Sequence, residues 1–310
     1  MTTLGLDLGG TNLRGALVDD GGRVLDERQV PTPVSGFADV IAACAQLVRE
    51  VGAGARAVGI GAAGLVDRHG VLHYAPNIFG VQHARVGDDL ARATGLPVAV
   101  DNDATVAAVG ELAYGAARTV RDALVVTLGT GIGGGIIMDG AVRRGAHGFA
   151  AEIGHFQIDP HGPRCACGVL GHWEALASGT ALGRMGLEHA AAGTAPGLLA
   201  RAGGDATTIT GVLVGEAALA GDDDARAILE EYAGYVAIGL AGLANVLDPE
   251  RIVVSGGLVS LGEALFTPVR AEFARHVEGV EARPAIEIVP AELGDRAGVI
   301  GAAVMAREFA

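Results

Sequence analysis

The sequence contains no lysine, and all 22 of its basic side chains are arginines. This absence excludes a Walker-A phosphate loop and Schiff-base chemistry, because both require a lysine amine. The 36 acidic residues give a formal net charge of −14, which disfavours binding to the phosphate backbone of nucleic acids. We therefore expect any bound nucleotide to be held by backbone amides and a metal ion.

Cysteines and long apolar runs are also scarce. Three cysteines in 310 residues do not make a disulfide framework. Every apolar run is interrupted before it reaches the ~18 residues of a membrane span. The richest run, YVAIGLAGLANVL from Tyr235, predicts a buried helix. The start, MTTLGLDLGG, lacks the basic and apolar segments of a signal peptide, so we expect a cytoplasmic location and no membrane partner.

Strand-like and helix-like segments alternate along the chain, which predicts an α/β fold. One pattern occurs twice: a strand, a Gly/Thr turn, a second strand and an Asp-containing turn. Its two copies are LGLDLGGTNLRGALVDDGG from Leu4 and ALVVTLGTGIGGGIIMDG from Ala123. The repeat indicates two structurally similar halves.

Three glycine-rich turns have the character of phosphate-binding loops. In DLGGT, residues 7–11, Asp7 at a strand end is suited to hold Mg²⁺ through water. The two glycines let backbone amides approach a phosphate, and Thr11 is placed to contact the terminal one. TLGTGIGGG at 127–135 and SGG at 255–257 are similar. Glycine makes up 50 of the 310 residues, so one such turn carries little weight, whereas three together carry more.

These turns resemble the nucleotide site of the actin-like ATPase and sugar kinase superfamily. The first resembles the DxGGTxxR phosphate loop, the second resembles the second phosphate loop, and the third resembles the adenosine contact. The resemblance implies an ATP-binding set of Asp7, Gly9, Gly10, Thr11, Asn12, Arg14, Thr130, Gly131, Gly133, Gly256 and Gly257.

An Asp-rich turn, VDNDA at residues 100–104, follows an apolar strand. A carboxylate there is suited to accept the proton of a hydroxyl group that attacks phosphorus. The same turn also fits an Asx cap of the helix that follows. Both interpretations hold together if Asp101 or Asn102 caps the helix and Asp103 is the base.

The stretch GHFQIDPHGPRCACGVLGHWE, residues 154–174, holds two cysteines and three histidines. A closed tetrahedral zinc site uses four ligands of these kinds. The candidates are His155, Cys165, Cys167 and His172. The alternative is a loop of unlinked thiols and imidazoles, since the spacing is not that of a standard zinc finger. We expect His161 to lie outside the site and Cys44 to lie in the core.

The same stretch resembles the signature of the ROK family (repressors, open reading frames and kinases). AEIGH ends at His155, and CxCGxxG begins at Cys165 and is followed by Glu174. The resemblance runs from Leu4 to about Ala303. It implies an actin-like (ribonuclease H-like) two-lobed α/β fold with a structural zinc loop. The implied lobes are a small one over 1–117, completed by a C-terminal helix over 295–310, and a large one over 118–294, with the cleft between them.

By this resemblance the reaction is the phosphorylation of a hexose by Mg-ATP. Asp103 is implied as the base that takes the proton of the C6 hydroxyl. The implied sugar-binding residues are Gly64, Asn102, Asp103, Glu152, His155 and Glu174. The zinc is implied to be structural and to order the sugar-binding loop, because a site with four protein ligands has no open position for a substrate.

Three positions depart from the usual family pattern. His172 stands in place of a third cysteine, Ala63 in place of a proline, and Thr105 in place of the last residue of NDAN. No catalytic group is lost, but the identity of the sugar stays open. The resemblance is closest to bacterial glucokinases of the family.

The alternatives within enzymes are kinases of N-acetylmannosamine, N-acetylglucosamine, mannose or fructose, and a polyphosphate-dependent glucokinase. A sugar-sensing repressor of the same family is disfavoured by the net charge and by the early phosphate loop. A non-catalytic actin-like assembly protein would not need the implied sugar ligands. Enzymes of this kind are often symmetric, so we expect a homodimer or homotetramer without nucleic acid.

Overall fold

A computed structural model describes residues 1–75, 78 and 81–310, and within them strands and helices alternate as the α/β prediction requires. The strands are β1 (Thr2–Leu8), β2 (Asn12–Asp19), β3 (Val24–Pro31), β4 (Val58–Ala62), β5 (Leu65–Val66), β6 (Leu72–Tyr74), β7 (Gln82–Ala84), β8 (Val98–Asn102), β9 (Ala123–Leu128), β10 (Ile132–Met138), β11 (Ala141–Val142), β12 (Arg251–Ser255) and β13 (Glu287–Pro290). The helices are α1 (Phe37–Val51), α2 (Val86–Thr94), α3 (Asp103–Tyr114), α4 (Trp173–Ala177), α5 (Gly179–Ala191), α6 (Pro196–Arg201), α7 (Gly211–Leu219), α8 (Asp223–Leu247), α9 (Glu263–His276) and α10 (Ala297–Ala306).

The chain forms two compact units. Unit 1 consists of Met1–Val125, Gly135–Ala151 and Ala291–Ala310, and unit 2 of Val126–Gly134 and Glu152–Pro290. The N-terminal sheet has the strand order β3-β2-β1-β4-β8. Strands β1 to β3 pair antiparallel, whereas β4 and β8 are added in parallel. Because β1, β4 and β8 run parallel, their carboxyl ends lie at the same edge of the sheet.

The C-terminal helix α10 packs against the N-terminal strands of unit 1. A Cβ on Gly5 would overlap the Val299 carbonyl, and a Cβ on Gly59 would overlap that of Ala302. Glycines on β1 and β4 therefore allow the helix backbone to approach the sheet closely. The Thr3 hydroxyl also donates to the Ala303 carbonyl at 2.7 Å.

The second sheet has the order β11-β10-β9-β12-β13, the same connection order as the first. In each sheet a run of three consecutive strands is extended by two later ones, and β12 and β13 pair in parallel. The repeated sequence pattern correctly predicts this likeness. A small third sheet, β5-β6-β7, follows β4 in unit 1.

The core of unit 2 is built around a buried tryptophan and a buried tyrosine. Trp173 donates from its indole nitrogen to the Tyr235 carbonyl at 2.9 Å, and Tyr232 donates to the Ala177 carbonyl at 2.6 Å. Both side chains are fully buried, so their polar atoms need these partners. Tyr232 and Tyr235 both belong to helix α8, which packs against α4, α5, α6, α7 and α9.

Helix α8 is the one helix among the described residues that is long and apolar enough to cross a membrane. However, 56% of its most apolar stretch is buried within the protein. The run that begins at Tyr235 belongs to this helix, which agrees with its interpretation as a buried helix.

Candidate active site

The first glycine turn connects β1 to β2 in unit 1. The Gly9 amide donates to the Asn12 carbonyl at 3.0 Å, and the Thr32 hydroxyl donates to the Gly9 carbonyl at 2.7 Å. The turn residues Gly9 and Gly10 are half-buried, and Thr11 and Asn12 are exposed. These bonds fix the turn and leave its tip accessible to a phosphate.

Asp7 stands at the end of β1, directly before this turn. Burial, together with the nearby charges of Asp103 and Asp295, raises its pKa to about 6, although Arg14 acts in the opposite direction. A bound cation would stabilise the ionised form of this carboxyl group, because its positive charge offsets both the burial and the repulsion by the neighbouring carboxylates. The position therefore suits the predicted role in holding Mg²⁺.

Arg14 is occupied by partners within unit 1. Its guanidinium donates to the Gln29 side chain at 2.7 and 3.1 Å and to the Asp295 carbonyl at 2.9 Å. The Glu27 carboxylate lies 3.4 Å away. The structure thus gives Arg14 a clear part in the electrostatics around Asp7, and its contact with ATP stays a prediction.

Asn102 and Asp103 lie where β8 ends and α3 begins. The Asn102 side chain accepts a hydrogen bond from the Thr105 amide at 3.0 Å, so Asn102 rather than Asp101 is the helix cap. The Asp103 carboxylate accepts from the Ala104 amide at 2.9 Å. Burial raises the pKa of Asp103, which brings this carboxylate nearer the range of a general base.

Gly64 lies between β4 and β5 with a φ of 148°, a region that favours glycine. A Cβ here would also overlap the carbonyl oxygen of Tyr74. The Gly64 carbonyl accepts a hydrogen bond from the Asn102 side chain at 3.1 Å. Two residues that were assigned to the sugar on separate sequence motifs are therefore in direct contact.

The second glycine turn connects β9 to β10 and belongs to unit 2. The Gly129 amide donates to the Gly131 carbonyl at 3.0 Å, and the Thr180 hydroxyl donates to the Thr130 carbonyl at 2.8 Å. The Gly179 amide, at the start of α5, donates to the Gly129 carbonyl at 2.7 Å. Gly133 follows on β10 and is half-buried. The first turn of α5 therefore supports this loop, a contact that sequence reasoning missed.

Glu174 connects this turn to the cysteine-rich loop within unit 2. One of its carboxylate oxygens accepts from the Ile132 amide at 2.9 Å, and the other lies 3.6 Å from the Cys165 sulfur. A Cβ on Gly131 would overlap the same carboxylate. Sequence reasoning assigned Glu174 to the sugar alone and missed this link.

The third turn follows β12. Gly256 has a φ of 92°, and a Cβ on it would overlap the Leu128 carbonyl. Gly257 begins a short 3-10 helix, and a Cβ on it would meet open space. The backbone conformation and the close packing thus require glycine at position 256. At position 257 the space next to the backbone is open and could accept a ligand.

Glu152 and His155 lie at the two ends of one short 3-10 turn. The His155 amide donates to the Glu152 carbonyl at 3.1 Å. Only glycine fits at the buried position 154 between them, because a Cβ there would overlap the Ile132 carbonyl. The AEIGH motif therefore sets the spacing of these two side chains.

The four predicted metal ligands come together in unit 2. One ligand atom from each of His155, Cys165, Cys167 and His172 lies within 4.8 Å of the others. The Cys165 sulfur is 3.7 Å from His155 Nδ1, and the Cys167 sulfur is 3.2 Å from His172 Nδ1. A tetrahedral zinc with bonds of about 2.0–2.3 Å places its ligand atoms about 3.3–3.8 Å apart. The two Cys–His pairs have nearly this spacing, and a small inward movement of the four side chains would complete the site. His161 is not among the four.

The electrostatics of the cluster also favour a cation. Burial and the charge of Glu174 raise the pKa of the Cys165 thiol to about 11. Burial and His155 lower the pKa of His172, which keeps this imidazole neutral, as a metal ligand must be. A bound cation would convert the thiol to the thiolate that coordinates it. Cys44, by contrast, is buried in the core of unit 1, as expected.

The local backbone shapes this loop for its ligands. The Cys165 amide donates to the Val169 carbonyl at 2.8 Å, and the Gly168 amide donates to the Cys165 carbonyl at 2.9 Å. Gly171 has a φ of 65°, and a Cβ on it would overlap the Asp159 carbonyl. Close packing therefore requires Gly171, whereas Gly168 has open space around it and is favoured by its φ of 97°.

Comparison with known proteins places this chain among sugar kinases. Residues 3–309 match the sequence model of the ROK family. The glucokinase of Streptomyces coelicolor is 40% identical over 99% of this chain and 98% of its own length. The N-acetylmannosamine kinase of Salmonella typhi is 33% identical over 99% of both chains.

Solved structures agree with membership of this family and include both a kinase and a regulator. A ROK family glucokinase from Streptomyces griseus, in complex with glucose and AMPPNP, matches with a TM-score of 0.89 and 40% identity over 99% of this chain and 100% of its own. A ROK family transcriptional regulator, a homologue of the E. coli MLC protein, matches with a TM-score of 0.85 and 27% identity over 99% of this chain and 78% of its own.

Proposed function

We propose that this chain, which belongs to the ROK family, transfers the γ-phosphoryl group of ATP to glucose to give glucose 6-phosphate and ADP. The observation that carries the proposal is its 40% identity and full-length structural match to a glucokinase that binds glucose and AMPPNP. The expectation of an ATP-dependent sugar kinase is confirmed by these relatives.

The proposed nucleotide site uses the three glycine turns. Backbone amides of the β1–β2 and β9–β10 turns hold phosphates, and the turn after β12 lies against the adenosine. Asp7 would hold Mg²⁺, which would supply positive charge next to the transferred phosphoryl group. The assigned residues are Asp7, Gly9, Gly10, Thr11, Asn12, Arg14, Thr130, Gly131, Gly133, Gly256 and Gly257.

The proposed lobes are a small one over 1–117 with 295–310 and a large one over 118–294. The proposed sugar-binding residues are those that the resemblance to the family implies. Asp103 accepts the proton of the C6 hydroxyl as its oxygen attacks the γ-phosphorus. The Asn102 side chain donates to the Gly64 carbonyl and hydrogen-bonds Asp103, and its oxygen keeps one lone pair besides the one that accepts from the Thr105 amide, enough to accept from one sugar hydroxyl. The remaining sugar ligands are Gly64, Glu152, His155 and Glu174.

We assign a structural zinc ion to His155, Cys165, Cys167 and His172, whose spacing supports it. With four protein ligands the ion leaves no open position for a substrate. It reduces the conformational entropy that the loop between Glu152 and Glu174 loses on binding the sugar. His172 takes the place of the usual third cysteine.

The first experiment is a substrate panel. Purified zinc-loaded protein is assayed for ADP release with Mg-ATP and glucose, mannose, fructose, N-acetylglucosamine or N-acetylmannosamine. The proposal expects the highest kcat/KM for glucose. A preference for N-acetylmannosamine, the substrate named for one 33% identical relative, would move the sugar assignment and keep the reaction. No turnover with any of them would overturn the assignment of ATP as the donor and favour either a polyphosphate donor or the regulator-like alternative.

The assembly and the location of the protein remain proposals. We propose a homodimer or homotetramer, because soluble enzymes commonly form symmetric oligomers. We also propose that the protein acts in the cytoplasm. Light scattering coupled to gel filtration measures the mass of the assembly, and a monomer across the working concentration range would contradict it.

A further inference from the structure

An ion pair between the buried Asp101 and the partly exposed Arg144 lies next to the proposed sugar and base residues of unit 1. Asp101 Oδ2 is 2.6 Å from Arg144 Nε, and the two side chains are 7% and 37% exposed. Asp101 is on β8, immediately before Asn102 and Asp103. Nothing in the proposed reaction uses either member of the pair.

Both oxygens of the Asp101 carboxylate are engaged. One pairs with Arg144, and the other accepts from the Asn102 amide at 2.9 Å. The Asn102 side chain is held in turn by the Gly64 carbonyl and the Thr105 amide. Asp101 is therefore one of three anchors that fix the position of Asn102.

Arg144 belongs to a segment that is itself anchored to unit 1. The Arg68 amide donates to the His147 carbonyl at 3.1 Å, and the Arg68 Nε donates to the Gly145 carbonyl at 2.8 Å. Gly148 lies so close to the Asp67–Arg68 backbone that a Cβ would meet it at 2.7 Å. Along the chain this segment leads directly into Glu152.

The same pair forms part of the wall of a cavity of about 420 Å³ in unit 1. Both residues line this cavity, and the Arg144 side chain is much more exposed than that of Asp101. Shortening Arg144 would therefore enlarge a cavity that already exists, and the main consequence would be an unpaired buried charge on Asp101.

We infer that Asp101 and Arg144 are positioning residues of the sugar site. The Arg144 guanidinium holds the Asp101 carboxylate in the orientation that fixes the Asn102 amide and, through it, the start of α3 where Asp103 lies. The inference rests on the proposed hexose kinase activity. A small displacement of a base or of a sugar ligand lowers the rate strongly, by up to about a hundredfold for 1 Å.

The experiment compares Arg144→Gln, Arg144→Lys and the double variant Asp101→Asn/Arg144→Gln with the wild type. Each protein is measured for kcat, for the KM of sugar and of ATP, for the sugar Kd by calorimetry, and for Tm. The matched control is Arg143→Gln, since Arg143 is the neighbouring arginine and pairs at 2.9 Å with the exposed Asp139. All assays run well below the lowest Tm.

The double variant separates positioning from stability. It leaves no unpaired charge, so its Tm should recover towards that of the wild type, whereas kcat/KM for the sugar should stay about tenfold to a hundredfold low. The KM of ATP should not change, Arg144→Lys should restore part of the activity, and Arg143→Gln should resemble the wild type.

Two results would overturn the inference: wild-type kcat/KM in the double variant, or an equal loss in Arg143→Gln. If Arg144→Gln does not fold, the double variant still gives the decisive comparison. The wild type assayed in parallel tests the proposed function by itself. If the wild type turns over no sugar, the proposed function is wrong. If the wild type is active and the double variant is equally active, only the positioning role is wrong.

Discussion

Glu174 accepts a hydrogen bond from the Ile132 amide at 2.9 Å, and its other oxygen lies 3.6 Å from the Cys165 sulfur. One carboxylate thereby joins the candidate zinc loop to the second glycine turn. Ordering of the loop by a metal ion should consequently affect more than the proposed sugar ligands that the loop carries.

Removal of the metal should weaken substrate binding before it abolishes the fold. In Cys167→Ser one ligand is lost, so bound zinc should fall from one per chain and the KM of the sugar should rise on the order of tenfold, because the loop must then be ordered at each binding event. The KM of ATP should rise less, through Glu174. Elemental analysis and steady-state kinetics measure both. Cys44→Ala is the control and should keep its zinc; full zinc occupancy in Cys167→Ser would contradict the ligand assignment.

Replacement of the proposed base should separate chemistry from binding. Asp103→Asn keeps the size of the side chain but removes the proton acceptor, so kcat should fall about 10²- to 10⁴-fold. Sugar Kd from calorimetry should stay close to that of the wild type. A variant that turns over at the normal rate would disprove the assignment. Asp139→Asn, at a solvent-exposed carboxylate, is the control.

The activity should depend on the ionisation of Asp7. Because its pKa is raised to about 6, the carboxylate needed for Mg²⁺ is lost as the pH falls through that value. We expect kcat/KM for ATP to drop below about pH 6, and higher Mg²⁺ to move the drop to lower pH, since the ion competes with the proton. Rate profiles at two Mg²⁺ concentrations measure this. A profile independent of both would exclude the role.

The same residue should reduce stability at neutral pH. The pKa of Asp7 rises from 3.8 to about 6 on folding, so the folded state binds the proton more tightly and stability is lost as the pH rises between these values. Asp7→Asn should raise the free energy of unfolding at pH 7 by about 3 kcal/mol while it abolishes turnover. Urea unfolding at pH 7 and at a pH below 4 measures the difference, which should shrink at the lower pH. A variant less stable than the wild type at pH 7 would contradict the prediction.

Two glycines with nearly equal φ test the role of close packing at the sugar loop. Gly64 and Gly36 have φ of 148° and 147°, but a Cβ meets the Tyr74 carbonyl at Gly64 and nothing within 4 Å at Gly36. Both Gly→Ala variants suffer backbone strain of about 1–3 kcal/mol. Gly64→Ala should lose more stability, and it should also raise the KM of the sugar, because the Gly64 carbonyl holds Asn102. Equal effects on Tm and KM in the two variants would refute this.

Much of the local architecture follows from short patterns in the sequence. The alternation of strands and helices, the repeated strand-turn-strand pattern and the helix capped by the Asp-rich turn are all present as predicted, although this helix begins at Asp103, two residues before the predicted start. These features depend on periodicity, turn glycines and caps, which act over a few residues. The His/Cys cluster was also predictable, because ligands close in sequence can reach one ion without help from distant elements.

Contacts between distant residues were decided by the tertiary structure. No local pattern shows that Arg144 pairs with Asp101, that Glu174 binds the Ile132 amide, or that α10 packs on β1 through Gly5. Such pairs depend on which strands become neighbours and on how closely their backbones approach, and these are properties of the packed chain. By itself the sequence determined the chemical groups and the local shape of each loop. Packing alone decided which of these groups support one another, since burial and neighbouring charge, the causes of the raised pKa of Asp7, exist only in the folded protein.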